Sequence, residues 1–388
     1  MKRTIVVVTS SRADYSHLYW PLKDLAAHPD VNLKLIVMAA HLSPQFGATV
    51  SEIERDGFPI AARIECLLSS DTDTGMAKTL GLAMLSLTDT LAEMRPDLVL
   101  LIADRYEMLA PAAVALTLRI PVAHIEGGEI SEGAIDDAVR NALTKMAHIH
   151  FTSTETARDR VISMGEEPWR VHRAGAPSLD HLRRSRLPTR EELAGALGID
   201  LAQSPVIVAY HPVTLLRDTT EEADALFDAL AEVNSPVLFC YPNADAGSHS
   251  LMQRARAFVE QRSGARIFVN LPAVTYWSLL AQASLLVGNS SSGIMEAASF
   301  ALPVVNVGLR QYGRERARNV LDAEPRAECI LEKIAIAQSA AFRESLRGMS
   351  NPYGDGHAAE RIVEVLTTAP LDKLLRKRAM SANAPAQP

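Results

Sequence analysis

Apolar residues along this chain come in short, nearly unbroken runs, and between the runs they thin out to every third or fourth position. The runs cover residues 4–8, 33–40, 97–103, 120–125 and 148–152, then 205–212, 236–242, 265–272, 283–290 and 302–308. They are rich in Val, Ile and Leu, as in "TIVVV", "DLVLLIA" and "PVIVAYHP". A strand with one wet face alternates apolar and polar residues. A run without alternation is buried on both faces, as in a parallel sheet covered by helices on either side. The intervening segments, such as 17–28 and 107–118, carry the helical spacing that this coverage needs.

The series breaks at "RRSRLPTREELAGALGID" (183–200), which is polar and contains Pro188. The pattern therefore predicts an α/β protein of two Rossmann-like, doubly wound domains facing a cleft. The first spans residues 1–182 and the second 183–370. The tail, 371–388, ends in "SANAPAQP" and is expected to be partly disordered. The length of 388 residues agrees with two domains, because a single core rarely grows beyond about 250–300 residues.

Composition narrows the class further. The net charge of −7 disfavours a nucleic-acid partner, which would need a basic face. Cys66, Cys240 and Cys329 are scattered, with no CxxC pair, which fits reduced thiols in a cytoplasm and gives no metal-ligand spacing. The apolar core of "MKRTIVVVTS" is too short for a secretion signal. No later run approaches the roughly 18 apolar residues of a membrane span, so neither membrane insertion nor a membrane partner is expected.

In a doubly wound sheet, ligands sit beyond the C-terminal strand ends. One such end reads "VGNSSSGIMEAASF" (287–300). Small residues there let the backbone approach phosphate oxygens, and a following helix offers unpaired N–H groups. Ser290 and Ser291 are thus candidates to grip a diphosphate; the alternative is a plain helix cap. Glu296, on an otherwise small and apolar surface, suits a pair of ribose hydroxyls, or else simply favours the helix dipole. His211 in "AYHPVT" and Asn243 in "CYPNAD" end two further strands of the second half.

The first half has its own polar strand ends. "TSSRADYSH" places Arg12 in a loop and Ser16 near a helix start; "ADRYE" places Asp104 and Arg105; "HIEGGE" places Glu126. "AIDDAVRNALTKM" then opens a helix with Asp136 and Asp137 in its first turn. Asp104 and Glu126 lie one strand–helix–strand unit apart and should emerge at one sheet edge, where Asp136 and Arg105 would join them. Clustered carboxylates suit proton transfer, because desolvation and like charge drive their pKa values apart. The simpler readings are an N-cap for Asp104 and dipole complementation for Asp136 and Asp137. His148 and His150, alternating along a strand, read as structural.

These stretches resemble the hydrolysing UDP-N-acetylglucosamine 2-epimerase family. The resemblance runs from about residue 4 to about residue 365 and rests on "SRADYSHLYWPL", "ADRYEML", "HIEGGEISEGAIDDAVRNALTKMAHIHF", "GAPSLD", "HPVT", "YPNADAG", "GNSSSGIMEAASF" and "VNVGLRQYGRERARNV". It implies a GT-B-type fold with the sugar nucleotide in the interdomain cleft. Arg12, Ser16, Arg105, His211, Asn243, Ser290, Ser291, Glu296 and Arg310 would then hold UDP, with Glu296 on the ribose. Asp104, Glu126 and Asp136 would be the catalytic carboxylates.

The resemblance further implies elimination of UDP to a glycal and then hydration, with no cofactor or metal required and no assignment of acid and base among the three carboxylates. UDP-N-acetylglucosamine would yield N-acetylmannosamine and UDP; UDP-N,N′-diacetylbacillosamine would yield the legionaminic-acid precursor sugar. A non-catalytic sugar-nucleotide sensor and a glycosyltransferase are the other readings of such a fold. A homodimer or homotetramer is the family expectation.

Overall fold

The computed structural model describes residues 2–70, 72–132, 135–211, 220–241, 248–269 and 271–378. The chain divides into two compact units. Unit 1 holds Met1–Glu129, Asp136–His181 and Tyr353–Pro388; unit 2 holds Ile130–Ile135 and Leu182–Pro352.

Unit 1 is built on seven parallel strands: β1 (Arg3–Thr9), β2 (Val31–Met38), β3 (Ile60–Ile64), β4 (Leu98–Ile102), β5 (Val122–Ile125), β6 (Ile149–Thr152) and β7 (Val171–Arg173). Their order across the sheet is β3-β2-β1-β4-β5-β6-β7. The order reverses between β1 and β4, which pair through Ile5 with Leu98 and Val7 with Leu100.

Alternate residues of one strand feed opposite cores. Ile5 and Val7 pack with Leu18 and Leu22 of the Arg12–Ala27 helix and with Ile362 and Leu366 of the Ala358–Thr368 helix. Val6 and Val8 pack with Ala83, Leu87 and Leu91 of the Asp73–Met94 helix on the other side. Each such side chain contributes about 1.5–3 kcal/mol relative to exposure, which is why Ile5–Val8 tolerates no polar position.

Unit 2 repeats the plan with β8 (Val206–Ala209), β9 (Val237–Tyr241), β10 (Ala265–Val269), β11 (Leu285–Gly288), β12 (Val304–Val307) and β13 (Val320–Ala323). Their order is β10-β9-β8-β11-β12-β13, reversing between β8 and β11. Gly288 ends β11 with φ +142°, and a Cβ there would lie 2.1 Å from the Ala209 carbonyl oxygen. No other residue fits where β8 and β11 come this close.

Three features differ from the sequence reading. β3, β7 and β13 all lie at sheet edges and lack the unbroken apolar runs of the inner strands; β3 alternates part-buried and exposed residues along "IAAR". Arg12 is the first residue of a helix, not a loop residue, because Ser11 and Asp14 form a capping box ahead of the apolar stripe. The chain also returns to unit 1 at Tyr353, whereas the second domain was expected to run to 370. The cause is the Ala358–Thr368 helix, whose buried face (Ala358, Ala359, Ile362, Val363, Leu366) completes the core over β1. Fully buried Asp180 accepts from the N–H groups of Ala358 and Ala359, both at 2.9 Å, and caps that helix. Arg170 then donates to the carbonyls of Leu374 and Arg376, both at 2.9 Å, fixing the start of the tail. Residues 379–388, where disorder was expected, lie outside the described residues.

Candidate active site

In unit 1 the carboxylates come from neighbouring strands. β4 pairs with β5 through Ile102 and Ile125, so Asp104 and Glu126 leave the sheet side by side at its C-terminal edge. Both strands turn out through left-handed residues, Ala103 (φ 58°) and Glu126 (φ 66°). That conformation costs a non-glycine residue on the order of 1 kcal/mol and survives only where the surroundings fix it. Here the Ala103 N–H donates to the Ile125 carbonyl at 3.0 Å and the Glu126 N–H to that of Phe151 at 2.8 Å. Buried His124 donates from Nε2 to the Ala103 carbonyl at 2.7 Å, and burial lowers its pKa to about 4, so it stays neutral.

The cation facing Asp104 is Arg140, not Arg105. Arg140, buried on the Asp136–Met146 helix, forms an ion pair with the Asp104 carboxylate and donates to the Glu129 carbonyl at 2.9 Å. Arg105 instead pairs with the buried Glu107 carboxylate at 2.9 Å. Asp136 opens the helix one turn before Arg140 on the same face, half-exposed. The Glu126 carboxylate meets His17 Nδ1 at 2.7 Å. Neither His17 nor Arg140 was picked out from sequence; each lies far along the chain from its carboxylate partner, and the β1-β4-β5 order of the sheet brings them together.

Arg12 and Ser16 both lie in the opening turns of the Arg12–Ala27 helix. The Ser16 hydroxyl donates to the Ala13 carbonyl at 2.7 Å. Asp14 of the same motif is structural: its buried carboxylate accepts from the Ser10 hydroxyl at 2.7 Å and the Ser10 and Ser11 N–H groups at 3.1 and 3.0 Å. His148 and His150 are structural as well. His148 Nδ1 accepts from the Val122 N–H at 3.1 Å, and His150 contacts the fully buried Glu166.

In unit 2 the candidates flank the β8–β11 reversal. Asn289, fully buried, accepts from the His211 N–H at 2.7 Å and donates to the His211 carbonyl at 2.8 Å. Its own carbonyl accepts from Arg310 at 3.0 Å and Gln311 at 2.9 Å. Burial first, and the Arg310 guanidinium second, push the His211 pKa down to about 3, so the ring is neutral at physiological pH. Ser290 is the N-cap of the Ser291–Met295 helix; its hydroxyl accepts from the Ser292 hydroxyl at 3.0 Å, which in turn lies 2.7 Å from the Tyr276 hydroxyl. Ser291 is half-buried beside it. Glu296 is buried at the C-terminal end of that helix, as its C-cap. Arg314 donates to the Ile130 carbonyl at 3.0 Å and the Ser131 hydroxyl at 3.3 Å. Asn243 lies outside the described residues.

The profile of the UDP-N-acetylglucosamine 2-epimerase family matches residues 23–367. The UDP-N,N′-diacetylbacillosamine 2-epimerase (hydrolyzing) of Legionella pneumophila is 37% identical, over 96% of this chain and 97% of its own. The GDP/UDP-N,N′-diacetylbacillosamine 2-epimerase (hydrolyzing) of Campylobacter jejuni is 36% identical, over 83% of this chain and 85% of its own. In fold, the crystal structure of UDP-GlcNAc 2-epimerase from Neisseria meningitidis bound to UDP-GlcNAc is similar with a TM-score of 0.80, over 94% of this chain and 99% of that one, at 19% identity. With the profile and both relatives spanning most of its length, the chain belongs to the UDP-N-acetylglucosamine 2-epimerase family.

Proposed function

We propose that this chain is a hydrolysing 2-epimerase of a UDP-linked N-acetylated sugar, with UDP-N,N′-diacetylbacillosamine as the preferred substrate. The observation that carries the reading is the delivery of Asp104 and Glu126 by adjacent strands, with Asp136 opening the next helix. The relatives named for diacetylbacillosamine favour that sugar. UDP-N-acetylglucosamine is the second reading, favoured by the family's own description.

The chemistry assigns roles by type. One carboxylate takes the proton from C2 while the C1–O bond breaks and UDP leaves, giving a C1=C2 glycal. Water then adds its oxygen to C1 and gives up one proton to a carboxylate, while a carboxylic acid delivers a proton to the opposite face of C2. The products are UDP and the free 2-epimer. Positive charge develops at C1 during elimination, which the carboxylates of the cluster stabilise, and general acid–base transfer contributes about 10²–10⁴-fold. Arg140 orients the Asp104 carboxylate through their ion pair. Ser290, Ser291, His211 and Arg310, with Arg12, Ser16, Arg105 and Asn243, are proposed to bind the nucleotide, and Glu296 its ribose. Neutral His211 suits this role as a hydrogen-bonding group. The protein is proposed to act in the cytoplasm as a homodimer or homotetramer; among the described residues no helix is long and apolar enough to cross a membrane.

Incubation with each UDP-sugar, followed by identification of the released sugar, tests the reading. Release of UDP with the 2-epimer of diacetylbacillosamine supports it. Turnover confined to UDP-N-acetylglucosamine selects the second substrate, and no release of UDP from either rejects both.

A further inference from the structure

His17 and Glu126 are separated by 109 positions in sequence, yet Nδ1 of the histidine lies 2.7 Å from Oε1 of the carboxylate. An ionised carboxylate oxygen can only accept, so with Glu126 as the carboxylate Nδ1 carries the hydrogen and donates it. Both partners are withdrawn from solvent, with side-chain exposures of 23% and 10%.

Each side of the contact is held by its own support. Glu126 sits in the left-handed region with its N–H bound to Phe151, so its backbone has little freedom. Its side chain would still have rotamers to choose among. His17 lies in a helix turn with an unusual lower half, because Pro21 has no N–H to donate to the His17 carbonyl one turn back. That turn is tied instead by His181, whose Nε2 donates to the Ser16 carbonyl at 2.9 Å and whose ring stacks on Tyr19 at 5.3 Å. A structural histidine in the core would need none of this at the open end of β5.

We propose that His17 is a positioning residue for the reaction: its donated hydrogen bond selects one rotamer of the Glu126 carboxylate and holds it for proton transfer at C2. The inference rests on the 2-epimerase reading. Preorganisation of this kind acts on turnover and leaves nucleotide binding largely unchanged, because the hydrogen bond from His17 goes to the Glu126 carboxylate.

The test compares His17→Ala and His17→Asn with the wild-type protein, measuring kcat and KM for UDP release and the thermal midpoint of each. An asparagine amide places a donor near the position of Nδ1. Losing a hydrogen bond to a charged group predicts a fall in kcat of about ten- to a hundred-fold for His17→Ala, with KM changed by less than about threefold. His17→Asn should recover most of that loss. Wild-type kcat in His17→Ala, a change confined to KM, or equal impairment in the two variants at matched thermal midpoints would overturn the positioning role while leaving the 2-epimerase reading intact. A wild-type protein that releases UDP from neither sugar nucleotide would overturn both.

Discussion

Asn289 grips the backbone of His211 with both ends of its amide, accepting at 2.7 Å and donating at 2.8 Å, and so joins the ends of β11 and β8 where the unit 2 sheet reverses direction. This is the place at which a doubly wound sheet opens a crevice for ligand. The asparagine is held in turn by the fold, since Gly288 before it brings β11 against Ala209.

Asn289→Ala should therefore act on both stability and binding. It strands the part-buried His211 N–H and carbonyl, at up to about 1–3 kcal/mol for each unsatisfied group. Urea unfolding should show a loss on the order of 2–4 kcal/mol, and calorimetry should show weakened UDP binding. Unaltered stability would mean that the clasp is replaced by water at no cost.

The carboxylates make a different prediction. Asp104→Asn, Glu126→Gln and Asp136→Asn preserve shape but cannot cycle a proton. UDP affinity should stay within about threefold of wild type while at least one variant loses a hundred-fold or more in kcat. Arg140→Lys should also impair turnover, because a point charge does not replace a planar fork that serves both Asp104 and Glu129. Full activity in all four variants would remove the proton-transfer role from this edge.

Arg314 ties the Ile130–Ser131 segment, which lies between Glu126 and Asp136 in sequence, to the loop after β12. Gly313 sits beneath it with φ +82°, where a Cβ would lie 2.5 Å from Ile130 Cγ2. Arg314→Ala should lower kcat about tenfold or more through misplacement of the segment, with Gly313→Ala acting in the same direction. Hydrogen exchange over residues 130–135 would read the cause directly: unchanged protection with unchanged kcat contradicts the anchor.

The pH dependence of stability should carry the mark of Glu166. Burial raises its pKa, but hydrogen bonds from His150, Lys145 and Lys377 outweigh that and bring it down to about 2. A carboxyl depressed on folding contributes stability that is fully present above its unfolded value near 4.5 and is lost as pH falls toward 2. His150, held neutral by burial, adds destabilisation from about pH 6.5 downward, because the unfolded chain takes up the proton more readily. Thermal midpoints between pH 5 and 2 should fall more steeply for wild type than for Glu166→Gln. Parallel curves would show that the pair with Lys377, which fastens the tail at 2.6 Å, contributes little.

The two sheets were legible in the sequence because their inner strands are buried on both faces and must be apolar throughout; "IVVV" and "LVLL" can be little else. The edge strands β3, β7 and β13 were not, since β3 and β13 satisfy one face with solvent or mixed side chains and lose the run, whereas β10, also at an edge, keeps it. Site residues were legible where chemistry follows a strand end directly, as with Asp104, Glu126 and Ser290. The partners of those residues were not. Arg140 for Asp104 and His17 for Glu126 depend on which strands lie side by side, and nothing in the spacing of "SRADYSH" or "DDAVRNAL" states that. The return of 353–378 to unit 1 was hidden for the same reason: an amphipathic helix shows that it packs, not where.

In this reaction C2 loses its proton and regains one from solvent as UDP departs. The direct measurement is turnover of the UDP-sugar in deuterated water, followed by NMR of the products. The expected products are UDP and a free sugar inverted at C2, with deuterium at that carbon. A released sugar that keeps its original hydrogen at C2, or a product still linked to UDP, would contradict it.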